Sequence, residues 1–280
     1  MKIRKNIQIG GKHHKPILTD YFYTENNKAK PIVIFCHGYK GYKDWGAWNL
    51  MAKVFVEVDL FFVKFNFSHN GGTVENQIDF PDLEAFSNNN YTKETDDLET
   101  VIDFLLRDET IKNEIDPQKI ILIGHSRGGG IVNLVASTNP KVTAVISWNG
   151  ISDIASRFPT GEALAQWKKA GVGYVQNTRT KQQMPNKFQV YEDFITNKEK
   201  LDIKKAVENL SIPHLIIQGE KDEVVLPMEA ENMHSWNAHS TLIIIKGMNH
   251  SLGNTQPWNE LTMPNDLALV VRHTIGFLNN

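Results

Sequence analysis

The sequence predicts an α/β architecture, a mainly parallel sheet flanked by helices, and three observations predict it. Short β-branched or aromatic runs alternate with longer segments of helical period, the pattern of a parallel sheet covered on both faces. The chain has 280 residues, 41% of them apolar, enough to bury one large core without division. One interval between strands runs to about 65 residues, where a crossover needs only a dozen or so, which marks an insertion.

Taken in order, residues 2–9 and 17–23 read as an antiparallel pair with Gly10-Gly11 as the turn. The strand runs that follow are 32–36, 60–65, 120–123, 143–147, 215–217 and 241–245. Asp44 is placed to cap a helix ending near Val58, its carboxylate accepting from first-turn amides. From Thr92 to about Arg107, Leu98, Val101, Ile102 and Leu105 make one apolar stripe; after Pro264, Leu267, Val270, Val271 and Ile275 make another. The long interval mixes Trp167, Tyr174, Phe188, Tyr191 and Phe194 with many Lys, Asn and Gln, and reads as a helical cap over the strand ends, about 153–208. Repeats and linkers are absent, so residues 1–280 are expected to form one domain.

Composition narrows the function. Lys and Arg total 30 against 32 Asp and Glu, and a net charge of -2 gives no basic field for nucleic acid. Cys36 is the single cysteine, so an internal disulfide is excluded and a small core side chain is the expectation. No apolar run of signal-peptide length follows the basic start, and no later stretch approaches a membrane span, so a cytoplasmic protein with no membrane partner is expected. There is no zinc spacing, Walker loop or dinucleotide fingerprint, and no metal or cofactor is implied. Oligomeric state is not legible.

The segment that carries chemistry is Gly124-His125-Ser126-Arg127-Gly128-Gly129-Gly130, set between the 120–123 strand run and an apolar helical run. A serine two residues from a glycine on each side, between strand and helix, is a nucleophile elbow. Side chains at 124 and 128 would strike neighbouring backbone, and the following helix points its positive end at any anion formed beside Ser126. A serine hydroxyl needs a base. Of ten histidines, His250 in Gly247-Met248-Asn249-His250 follows the last strong strand, where its loop can return over the elbow. A carboxylate must fix the imidazole tautomer, and Asp222 in Gly219-Glu220-Lys221-Asp222 is favoured, with Asp153 after the preceding strand as the competitor. Negative charge on the attacked carbonyl needs donors, for which the backbone amides of Arg127 and of Tyr39 in His37-Gly38-Tyr39-Lys40-Gly41 are placed. His37 and Trp148 are weaker expectations as substrate-binding residues, and Ser68-His69-Asn70 as pocket rim.

Taken in chain order, from His37-Gly38 through the Ser126 elbow and Asp222 to His250, those four motifs resemble the α/β-hydrolase superfamily over nearly the whole chain. The likeness is greatest to the branch of cinnamoyl or feruloyl esterases, dienelactone hydrolases and prolyl-oligopeptidase-like hydrolases. The resemblance implies an α/β-hydrolase fold with Ser126 as nucleophile, Asp222 as acid, His250 as base, and the Tyr39 and Arg127 amides as oxyanion hole. Ser at the elbow departs from the Cys of dienelactone hydrolases proper and from the Asp of dehalogenases and epoxide hydrolases.

The expectation is a serine esterase that cleaves small to medium or aryl acyl esters through an acyl-enzyme, with a small-molecule ester as its partner. Two alternatives stand beside it: a serine peptidase of the prolyl-oligopeptidase type, and a non-catalytic small-molecule binder on the same fold.

Overall fold

In the computed structural model, which describes residues 1–279, β1 (Lys2–Gly10) folds back on β2 (Pro16–Tyr23), with Gly10 paired to Pro16. There follow β3 (Lys30–Cys36), α1 (Trp48–Glu57), β4 (Phe61–Asn66), α2 (Leu83–Ser87), α3 (Tyr91–Arg107), β5 (Ile115–His125), α4 (Arg127–Ala136) and β6 (Val142–Trp148). The long interval holds a 3-10 turn (Ala155–Arg157), α5 (Gly161–Ala170), β7 (Val172–Gln176), β8 (Gln183–Lys187), α6 (Gln189–Thr196) and α7 (Ile203–Glu208). The chain closes with β9 (His214–Gly219), α8 (Pro227–Trp236), β10 (Ser240–Ile245) and α9 (Asn265–Leu278).

Eight strands form one sheet in the order β1-β2-β4-β3-β5-β6-β9-β10. β2 is antiparallel to both its neighbours, and from β4 onward every pairing is parallel. Period-two alternation divides the core. Ile32, Ile34 and Cys36 face the layer of α3 and α4, while Val33 and Phe35 face that of α1 and α9. Because the central strands run the same way, the loops after β3, β5, β6, β9 and β10 leave from one edge, where open parallel sheets bind their ligands. The interval after β6 adds a two-stranded antiparallel sheet, β7 with β8, to its helices. Among the described residues no helix is long and apolar enough to cross a membrane.

Asp44 does not cap α1. The helix starts at Trp48, where the first-turn amides of Trp48 and Leu50 donate to the Trp45 and Ala47 carbonyls, and just before it the amides of Gly46 and Ala47 donate to Gln256 Oε1 (2.6 Å) and Asn254 Oδ1 (3.1 Å). Asp44 is drawn away by charge: its carboxylate accepts from Lys43 and from Lys64 Nζ (2.7 Å), and both lysines also reach Asp20 Oδ2 (3.0 and 2.8 Å). Asp20, Lys43 and Lys64 are fully buried and Asp44 is partly exposed, so the cluster balances two positive against two negative charges largely out of solvent. Burial pulls the Lys64 ammonium below its usual range, opposed by Asp20 and Asp44. Burial also opposes ionisation of Asp44, but Lys64 and Lys43 outweigh it and hold the carboxyl far below the usual range. With Lys43 N–H donating to Asn66 Oδ1 (2.6 Å), the cluster clamps the loop after β3 to the sheet.

Candidate active site

β5 ends at His125 and α4 begins at Arg127, leaving Ser126 alone to make the turn at φ +59° and ψ -122°. That left-handed conformation is costly for a side-chain-bearing residue, about 1–3 kcal/mol, and holds only where the surroundings over-determine it. They do: Ser126 N–H donates to the Trp148 carbonyl (3.0 Å), and the Ser126 carbonyl accepts from Gly129 (2.9 Å) and Ile151 (3.1 Å). A Cβ at Gly124 would lie 2.1 Å from the Gly128 oxygen, and one at Gly128 2.4 Å from the Cys36 oxygen. Gly38 lets the loop after β3 approach the serine; a Cβ there would lie 2.8 Å from that of Ser126.

His250 stands in the turn after β10 with Nε2 3.0 Å from Ser126 Oγ, and its Nδ1 is 2.7 Å from Asp222 Oδ2. A carboxylate only accepts, so Nδ1 carries the proton and Nε2 is free to accept from the hydroxyl. The other Asp222 oxygen accepts from the amides of Val224 and Val225, both at 2.8 Å. Burial resists ionisation of Asp222, but the His250 hydrogen bond and charge and these two amides outweigh it and hold the carboxyl below its ordinary range. Asp153 is placed elsewhere: its carboxylate caps the 3-10 turn through Ala155 (2.9 Å) and Ser156 (3.1 Å).

One side chain ties the two loops together. Asn149, fully buried at the end of β6, accepts from Gly219 N–H (2.7 Å) and donates to the carbonyls of Asn249 (3.0 Å) and His250 (3.1 Å). His125 adds a second hold on the His250 carbonyl through Nε2 (2.8 Å). Burial drives the His125 imidazole down to about 3 and that of His37 down to about 4, so both are neutral at physiological pH. His37 donates from Nδ1 to Gly38 O (2.9 Å) and accepts at Nε2 from Phe67 N–H (3.3 Å), so its ring braces the loop after β3.

Tyr39 and Arg127 share with Ser126 the lining of one cavity. Among the described residues the Tyr39 amide has no acceptor, and Arg127, first in its helix, has no intrahelical one. The Arg127 guanidinium sits over the Tyr39 and Tyr91 rings, 4.3 and 4.6 Å from their centroids, with Glu94 Oε1 at 3.4 Å.

Ser126 opens into two cavities. The larger, about 450 Å³, is walled by Tyr39, Tyr91, Phe158, Trp167 and Tyr174 and is largely apolar. The smaller, about 330 Å³, is bounded by His250, Lys40, Trp45, Asn177 and Arg179. Trp148, expected near substrate, lines neither. It is fully buried against Phe35 with its indole N–H on Thr274 Oγ1 (3.1 Å), because β6 is an interior strand and position 148 faces the α9 layer. Ser68, His69 and Asn70 likewise lie buried outside both cavities.

Sequence reasoning missed Asn149 as a tie, the Arg127 side chain as a bridge, and Tyr91 and Phe158 as walls. Asn149 comes two residues after the 143–147 strand run, the usual place for a site residue in such a sheet. Arg127 carried no signal beyond its place in the elbow.

Residues 20–237 match the family model described as BD-FAE. A Mycoplasma pneumoniae protein named "Putative esterase/lipase 2" is 25% identical over 251 residues, covering 82% of this chain and 86% of that one. Among solved structures, ferulic acid-bound Est1E from Butyrivibrio proteoclasticus is 16% identical with a TM-score of 0.74, covering 98% of each chain. A puromycin-hydrolyzing peptidase of Mycobacterium tuberculosis is also 16% identical with a TM-score of 0.65, covering 99% of this chain but 38% of its own. The chain belongs to the BD-FAE esterase family and has the α/β-hydrolase fold.

Proposed function

We propose that this carboxylic ester hydrolase works through an acyl-enzyme on Ser126, and that it favours esters with an aryl acyl group. The carrying observation is the unbroken line from Asp222 Oδ2 through His250 to Ser126 Oγ, at 2.7 and 3.0 Å. His250 Nε2 takes the hydroxyl proton as Ser126 Oγ bonds to the ester carbon, and the carbonyl oxygen becomes an oxyanion facing the Tyr39 and Arg127 amides. His250 then passes its proton to the alcohol oxygen as the carbon–oxygen bond breaks. Water, deprotonated by the same ring, frees the acid and restores the serine.

The two cavities divide the substrate. His250 must reach the departing oxygen, and it lines the smaller cavity and not the larger, so the alcohol goes to the smaller. The acyl group then enters the aromatic cavity, whose Phe158, Trp167 and Tyr174 come from the 153–208 insertion. Flat aryl groups gain from stacking on such walls beyond their area burial. Cys36, buried and unpaired, is in keeping with a cytoplasmic setting.

A fluorophosphonate should label the wild type at Ser126 and leave Ser126→Ala unlabelled, with nitrophenyl ester hydrolysis lost and the melting temperature little changed. Across acyl esters of one alcohol, kcat/KM should rise from acetyl to phenylpropanoyl. Retained turnover in Ser126→Ala, or faster cleavage of matched aminoacyl amides than of esters, refutes the reading.

A further inference from the structure

The smaller cavity carries a charge that no carboxylate among the described residues answers. Lys40 lines it, half-buried, and has no carboxylate within ion-pair reach among the described residues. The other full cation on its wall, Arg179, is already paired with Asp79 and also reaches the Tyr42 hydroxyl (3.5 Å). The Asp222 carboxylate is engaged by His250 and two backbone amides. Lys40 is also held in place: its backbone sits at φ +55°, the adjoining turn is closed by Gly41 N–H on Gly38 O (3.0 Å), and its ammonium lies 5.7 Å from the Tyr39 ring centroid. Burial depresses the lysine, the mark of a cation taken partly out of water without a counter-ion.

We propose that the smaller cavity is a subsite for an anionic group, carboxylate or phosphate, on the alcohol part of the ester, with Lys40 as its partner. This rests on the ester-hydrolase reading of Ser126 and on the placement of the alcohol beside His250. An anion there supplies the missing counter-charge, and the water lost from Lys40 on binding is replaced by a charge-assisted hydrogen bond. A neutral alcohol offers no such replacement.

The test uses cinnamoyl esters of a three-carbon alcohol ending in methyl, hydroxyl, carboxylate, phosphate or ammonium, with two- and four-carbon spacers to cover the reach of Lys40. For the wild type, kcat/KM should be about tenfold or more higher for the better anion than for the hydroxyl ester, the worth of one charge-assisted hydrogen bond. Salt should shrink the difference. The relative gain of carboxylate and phosphate tells which anion the site takes. Lys40→Met should bring the anion-to-hydroxyl ratio near one, and Lys40→Glu should turn preference toward the ammonium ester. Neither adds a β-branch at a left-handed position, so both should fold. No anion preference in the wild type, preference for the neutral diol, or an unchanged ratio in Lys40→Met overturns the subsite and leaves the esterase intact if fluorophosphonate still labels Ser126. Loss of all ester turnover together with labelling overturns both.

Discussion

The guanidinium of Arg127 lies 4.3 Å from the ring centroid of Tyr39, so the two residues proposed to supply the oxyanion-hole amides are joined through their side chains. The same guanidinium is 4.6 Å from the Tyr91 ring centroid, and Glu94 Oε1 is 3.4 Å from one of its nitrogens. Burial pushes the Glu94 carboxyl up, against the pull of Arg127 and Asn89, so the pair is a buried one whose halves depend on each other.

Removing the bridge should therefore loosen the hole rather than the triad geometry. Arg127→Met is expected to lower kcat on a nitrophenyl ester by about 10²-fold, the scale of a misplacement near 1 Å, with KM changing much less. Arg127→Lys should not restore the rate, since an ammonium lacks the planar face that packs on the Tyr39 and Tyr91 rings. Because Arg127→Met strands Glu94, the same measurement on Arg127→Met with Glu94→Gln separates lost alignment from a buried unpaired charge. A kcat within twofold of wild type in that double variant sinks the idea.

The acid role divides between two aspartates that the sequence left in competition. Asp222 meets His250 Nδ1 at 2.7 Å, whereas the Asp153 carboxylate is occupied by the Ala155 and Ser156 amides. Asp222→Asn should cut kcat by about 10⁴-fold through the wrong imidazole tautomer. Asp153→Asn should stay within about twofold. The opposite ranking in steady-state kinetics would hand the role to Asp153.

How much of this was legible depends on whether the signal was local. The strand runs at 32–36 and 120–123 and the stripe of Leu98, Val101, Ile102 and Leu105 lie in the elements their period predicts, because alternation and helical spacing are written into neighbours. The elbow was legible for the same reason: Gly124 and Gly128 are dictated by contacts within five residues of chain or with the adjacent strand. Asp44 was misread because one of its partners, Lys64, is 20 positions away, and Asp20, set beside Lys64 by the pairing of β2 with β4, gathers Lys43 and Lys64 into one cluster. Trp148 was misread because a strand end next to a site says nothing of which face a side chain takes. Asn149, one position on, turns toward the site, its φ of +46° setting the direction. The aromatic walls contributed by the insertion needed its path, and its β7–β8 pair carries no strong alternation.

The Asp20 cluster makes a stability prediction. Asp20→Ala leaves Lys43 and Lys64, both buried, with only Asp44 to balance them. Breaking a buried ion pair by removing one partner costs about 3–5 kcal/mol. Urea unfolding should show a loss of that order, accompanied by reduced esterase activity because Lys43 belongs to the loop that carries Tyr39. A loss below about 1 kcal/mol would mean that water or rearrangement supplies what Asp20 does now.

Asp97 sets a pH dependence of stability. It is buried on α3, one oxygen accepting from Ser68 N–H at 2.7 Å and the other without a partner among the described residues. Burial pushes its carboxyl up to about 7, with Glu94 adding to the rise and the Ser68 hydrogen bonds opposing it. In the unfolded chain an aspartate titrates near 3.9. Between those values the native state holds a proton that the unfolded state has released, so stability falls as pH rises through the window and levels above it. The stabilisation is complete below about pH 4 and is lost through about pH 7, at up to about 1.4 kcal/mol per pH unit. Asp97→Asn cannot titrate but keeps an acceptor for Ser68. Its urea midpoint should therefore fall less between pH 5.5 and pH 8 than that of the wild type, with Glu94, raised by the same burial, accounting for slope that remains. Parallel pH profiles for the two proteins would show that Asp97 is already ionised in the native state.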